Sequence, residues 1–148
     1  MSKNLKLALI PARGGSKRLP KKNIIQIKGK PIIAWTIEEA LNSNLFDKVC
    51  VSTDSQEIAE IANHYGANVL MRPDRLASDS SKVVDVCEWH LKNFLSNNII
   101  YDELFCLLPT SPMRTANDLI KISEILSTVP DVKAVMAVTN YFYYPFQA

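Results

Sequence analysis

Seven basic residues crowd one short stretch near the N-terminus: Arg13, Lys17, Arg18, Lys21, Lys22, Lys28 and Lys30. The 148-residue chain carries a formal net charge of only +2, so this cluster is local and asks for a local anion. The stretch from Pro11 to Asn23 reads PARGGSKRLPKKN. Gly14 and Gly15 let the backbone approach a ligand and turn its N–H groups toward it. Arg13, Lys17 and Lys22 supply positive charge, Arg as a two-pronged donor to phosphate oxygens and Lys as a point charge. A chain of phosphates is the ligand such a loop suits. The loop has neither the GxGxxG fingerprint nor the upstream Gly of GxxxxGK[ST]. Composition by itself equally allows a solvated basic loop.

The elements around the loop must be those of an α/β domain. Leu5–Ile10 (LKLALI) reads as a buried strand, and Pro31–Asn42 has helical spacing with Pro31 in the first turn. Lys48–Thr53 is a second strand. Asp54 or Ser55 caps a helix through Tyr65, with Gly66 as its stop. A third strand is expected over Asn68–Met71, a helix over Lys82–Leu95 and a fourth strand over Glu103–Leu108. Thr115 and Asp118 form a capping box for a helix to about Leu126. Lys133–Thr139 (KAVMAVT) is expected to be a fifth strand. Strands alternating with helices imply βαβ units. The expectation is one domain over residues 1–148, a Rossmann-like three-layer α/β sandwich with a mainly parallel sheet. In such sheets a ligand sits beyond the carboxyl ends of the strands, where the basic loop lies.

Composition narrows the partners. With 47% hydrophobic and 22% charged residues the chain is an ordinary globular one, and its charge balance favours neither nucleic acid nor membrane. The apolar run Leu7–Ile10 is too short for a signal peptide and is stopped by Pro11, so a cytoplasmic protein is expected. Cys50, Cys87 and Cys106 lack metal-site spacing and are expected as buried thiols. Trp35 and Trp89 are at core spacing. His64 and His90 are expected to be structural or surface residues. Glu38, Glu39, Glu57 and Glu60 read as solvated helix faces. Asp54 either reaches the crevice or caps a helix, and Asp79 caps the helix beginning near Ser81. Tyr141 to Phe146 hold five aromatics in six residues, an apolar surface that calls for cover by more chain or a partner.

The stretch LALIPARGGSKRLPKKN resembles the N-terminal signature of CMP-sialic acid synthetases, the acylneuraminate cytidylyltransferases. The likeness continues in order through KGKPIIAWTIEEAL, VSTDSQEIAEIA, RPDRLASDSS and LLPTSPMRT. Cytidylyltransferases for pseudaminic and legionaminic acids look equally similar, and TNYFYYPFQA is similar to the pseudaminic branch. The resemblance implies transfer of CMP from CTP to a sialic-acid-like nonulosonic acid, releasing pyrophosphate. It implies Arg13 and Lys22 on the triphosphate as the catalytic pair, backbone donors at Gly14 and Gly15, and charge neutralisation by Lys17. Asn23 would touch the nucleotide, and Arg72 and Ser81 the cytosine. Arg72 read from sequence alone is equally a surface Arg at a strand end.

The resemblance also implies Mg²⁺ and a homodimer at full length. The family's magnesium-binding acidic pair and dimerisation segment lie further C-terminal than Ala148, so no metal ligand is assigned here. The domain is accordingly expected to be truncated, and this fragment inactive. Leu108 stands where the family often has Gln, and Val83 where it commonly has a hydroxyl residue. Both fall on expected substrate contacts and bear on which sugar acid is used. Alternatives are an enzyme for an eight-carbon keto-sugar acid, a sugar-1-phosphate nucleotidyltransferase, or a nucleotide-binding module without turnover.

Overall fold

The structure is a computed structural model that describes residues 4–16 and 19–138. Lys17, Arg18 and the aromatic run from Tyr141 to Phe146 lie outside the described residues. In chain order the elements are β1 (Lys6–Pro11), β2 (Gln26–Ile27), β3 (Lys30–Pro31), α1 (Ile32–Asn42), β4 (Lys48–Thr53) and α2 (Gln56–His64). There follow β5 (Asn68–Met71), α3 (Val83–Ser96), β6 (Glu103–Cys106) and α4 (Ala116–Thr128). Two single 3₁₀ turns, Lys22–Ile24 and Asp74–Leu76, lie in the loops.

Four strands form one parallel sheet in the order β5-β4-β1-β6. Residue alternation along β1 divides the core in two. Ala8 and Ile10 point into a cluster with Ile33, Ile37, Val51, Ile58, Phe105 and Leu119, which joins α1, α2 and α4 to one face. Leu7 and Leu9 point the other way, to Cys50 on β4 and Cys87 on α3. A strand buried on both faces reads as a continuous apolar run, as LALIP does. The result is the expected α/β sandwich of helix, parallel sheet and helix.

Local signals set the element ends. Ser55 Oγ accepts from Ile58 N–H at the start of α2. Gly66 follows its last turn at φ +89, a conformation that glycine adopts without strain. The Thr115 hydroxyl and Asp118 carboxylate cap α4 reciprocally. Lys28 (φ 49) and Gly29 (φ 83) form the two-residue turn of the β2–β3 hairpin.

Several expectations are corrected. Residues 133–138 are not a strand, and Met136 and Val138 are more than four-fifths exposed. A strand exists only by hydrogen bonding to a neighbour, and β6, the sheet's edge, pairs only with β1 among the described residues. Thr139 lies outside them. Cys106 is exposed rather than buried because it ends that edge strand, whereas Cys50 and Cys87 are buried. Glu39 is not merely a solvated face: its Oε2 accepts from the Ala116 N–H at 2.6 Å, tying α1 to the start of α4. Glu38 pairs with Lys30, which also stacks on Trp35.

Candidate functional site

The sheet order reverses at β1, because the chain moves outward through β4 and β5 and then returns to place β6 on the other side. Side chains from both walls of the crevice beyond this switch point enclose a cavity of about 280 Å³. Pro11 and Arg13 come from the end of β1, and Leu108 to Thr110 from the loop after β6. Lys22 and Asn23 rise from the basic loop, and Arg72, Asp79 and Ser81 from the segment between β5 and α3. The structure thus brings Arg13, Lys22, Asn23, Arg72 and Ser81 to one place. Gly14 and Gly15 follow Arg13 in the chain but are not among the residues that line the cavity. Lys17 lies outside the described residues.

The basic loop is braced from below. Buried Asn23 donates from Nδ2 to the Arg13 carbonyl at 3.0 Å. The Gly14 N–H donates to Asp54 Oδ1 at 2.9 Å, which fixes the loop to the end of β4. Of the two roles open to Asp54, the structure gives capping to Ser55 and loop support to Asp54. A Cβ on Gly14 would lie 2.8 Å from Ser55 Cβ, so the loop can pack against the start of α2 only with glycine there. Gly15 has open space around its Cα, and a side chain there would meet nothing within 4 Å. Lys21 precedes Lys22 in the left-handed conformation at φ 54, a strained choice for Lys.

Three cations, Arg13, Lys22 and Arg72, face the cavity. Arg72 is 8% exposed and is not a surface residue. Its N–H donates to the Thr53 carbonyl at 3.0 Å, while its Nε is buried with no protein partner. Burial lowers its pKa, opposed by the nearby Asp54 carboxylate. A buried guanidinium with an unanswered donor costs free energy unless something else accepts from it. Ser81 Oγ donates to the Arg75 carbonyl at 2.9 Å and contacts Ser78 Oγ at 2.8 Å, which shapes the wall opposite the loop. Leu108 and Val83, the two departures noted in the sequence, both line the cavity.

Asp79 does not cap α3. The N-terminal residue there is Lys82, whose N–H donates to Asp85 Oδ2 at 3.3 Å. Asp79 Oδ1 instead meets Arg13 Nη1 at 2.7 Å. Sequence reasoning missed this pair because its members lie 66 residues apart and no local pattern links them. His90, on α3, is buried. Its Nε2 is 2.7 Å from Ser52 Oγ, and burial, with the Arg72 charge second, pulls its pKa down to about 4. A second cavity of similar volume, between β5 and α3, is lined by Met71, Trp89, His90 and Phe94 among others, with neither Lys nor Arg in its lining. Among the described residues no group of three His, Cys, Asp or Glu side chains could hold a metal ion, and no helix is long and apolar enough to cross a membrane.

The chain is similar to several known proteins. The family model described as cytidylyltransferase matches residues 7–135. Pseudaminic acid cytidylyltransferase of Campylobacter jejuni is 42% identical over 142 residues, covering 95% of this chain and 60% of that protein. N-acylneuraminate cytidylyltransferase of Escherichia coli is 40% identical, covering 90% of this chain and 31% of that protein. CMP-N,N'-diacetyllegionaminic acid synthase of Legionella pneumophila is 47% identical over 73% of this chain and 47% of its own length. The chain therefore spans between about a third and three-fifths of these relatives. Among solved structures, a CMP:2-keto-3-deoxy-manno-octonic acid synthetase complexed with CTP superposes with a TM-score of 0.71 at 25% identity, over 86% of this chain and 49% of that one. With a family match running from β1 past the end of α4, and a basic loop beyond the carboxyl end of β1, this chain belongs to the cytidylyltransferase family.

Proposed function

We propose that residues 1–148 form the nucleotide-binding domain of an enzyme that transfers CMP from CTP to a nonulosonic acid. One observation carries the reading: Arg13, Lys22 and Asn23 of the basic loop and Arg72 and Ser81 of the segment between β5 and α3 converge on one cavity at the sheet's switch point. The relatives named for pseudaminic, N-acylneuraminic and legionaminic acids supply the substrate class. In the reaction the anomeric hydroxyl of the sugar acid attacks the α-phosphorus of CTP. The new O–P bond forms as the bond to the β-phosphate oxygen breaks, pyrophosphate leaves, and the hydroxyl proton is lost.

Such a transfer needs in-line positioning and charge neutralisation rather than a covalent nucleophile. Arg13 and Lys22 bind the phosphate chain, with Lys17 adding charge and Gly14 and Gly15 backbone donors. Arg72 and Ser81 hold the base, and the buried Arg72 Nε finds an acceptor there. Asn23 keeps Arg13 in register through its carbonyl. Leu108 and Val83 contribute to the choice of sugar acid. Mg²⁺ is expected with a triphosphate substrate. The carboxylates near the cavity, Asp79 and Asp54, are engaged by Arg13 and the Gly14 N–H, and this donor set does not fit a resident metal. No step is assigned to one. The reading includes a homodimeric, cytoplasmic enzyme.

Thermal-shift titration with CTP, UTP, ATP and GTP tests the nucleotide. CTP at about 100 times its Kd adds roughly 2.7 kcal/mol of stability. Equal stabilisation by all four nucleotides refutes the base assignment. The likeness to the octonic acid synthetase favours a second reading, an eight-carbon keto-sugar acid as acceptor. Assay of a panel of eight- and nine-carbon keto-acids with CTP separates the two.

A further inference from the structure

Asp79 is the acidic residue among the described residues lining the cavity, and it faces Arg13, Lys22 and Arg72. Its carboxylate and the Arg13 guanidinium come from opposite walls and meet at 2.7 Å. The Arg13 main chain is anchored, since its carbonyl accepts from Asn23. The guanidinium side is therefore the part free to change partner. Carboxylate and phosphate oxygens engage a guanidinium through the same fork of N–H donors. They compete for one set of donors. The Asp79 side chain is 43% exposed, so water can take it up when it is displaced.

Resting on the nucleotide-site reading above, we infer that Asp79 is an intramolecular stand-in for phosphate. It holds Arg13 across the cavity when no nucleotide is bound and gives up the guanidinium when the phosphate chain enters. Two consequences follow. The ion pair keeps the arginine positioned at the mouth of the cavity before substrate arrives. It also sets a threshold: a polyphosphate, with several charged oxygens, displaces the carboxylate, whereas a singly charged anion competes poorly. Displacement removes this contact between the two walls, so phosphate entry at one wall is linked to the shape of the other.

The test is isothermal titration of CTP and of inorganic tripolyphosphate into the parent chain, Asp79→Asn, Arg13→Ala and the double variant. Asp79→Asn keeps the shape and removes the competing charge, and it should bind both ligands more tightly by up to about fivefold, the upper end of what an exposed ion pair commands. Asp79→Ser should shift the affinity in the same direction. In the Arg13→Ala background the gain from Asp79→Asn should vanish, because the carboxylate acts through that arginine. Affinity unchanged or weakened in both Asp79 variants overturns the inference while leaving the site reading intact. So does an equal gain with and without Arg13. If Arg13→Ala binds CTP as the parent does, the site reading itself fails and takes the inference with it.

Discussion

Acidification should destabilise this protein through a single buried imidazole. His90 is 3% exposed, packed edge-on to Trp89 and bonded to Ser52 Oγ in the sheet. Burial and the Arg72 charge lower its pKa from the ordinary 6.5 to about 4. The unfolded chain takes up a proton near the ordinary value and the folded chain does so only near the lowered one. Unfolding therefore binds a proton between the two, and stability rises with pH across that window. The contribution is full above the ordinary value and falls as pH drops toward the lowered one. At about 1.4 kcal/mol per pKa unit, acidification from pH 7 to pH 5 should cost roughly 2 kcal/mol. Urea unfolding at several pH values measures it, with His90→Gln as control. The variant can still bond Ser52 but cannot titrate, so its pH slope over this window should largely disappear. A parent protein whose unfolding free energy changes by less than about 0.5 kcal/mol, or a variant that keeps the full slope, refutes the reasoning.

The loop gives two further predictions. Arg13→Ala and Lys22→Ala should each weaken CTP binding by about 1.5–3 kcal/mol, the cost of a lost charge-assisted hydrogen bond, seen by titration. Their stability should change by no more than about 0.5 kcal/mol, and a variant that unfolds or binds CTP like the parent contradicts the assignment. Gly14→Ala should push the loop away from Ser55, because the new Cβ would sit 2.8 Å from the serine Cβ. Forced overpacking of this kind costs about 1–3 kcal/mol, and CTP affinity should drop along with the melting temperature. Unchanged values of both would show that the loop does not need this close approach.

Much of the molecule follows from short-range pattern. The order of strands and helices, the Ser55 and Thr115 caps, the Gly66 stop and the basic loop depend on residues within a few positions of one another, where period and capping chemistry act directly. The gathering of Arg13, Lys22, Asn23, Arg72 and Ser81 was legible too, through the resemblance of ordered motifs rather than through spacing. What the chain's own residues could not reveal was pairing across the fold. Asp54 reads equally as a helix cap or a crevice residue until the sheet sets it under Gly14, 40 positions away. Asp79 reads the same way until β1 and the segment before α3 close on one cavity. His90 lies on an ordinary amphipathic helix, and only its packing against Ser52, 38 positions away, makes it a buried base. KAVMAV has strand-like residues, yet residues 133–138 stay irregular, and Cys106 is exposed at the edge. A strand and a buried thiol both require a neighbour, and which segments become neighbours is decided by how the sheet is ordered.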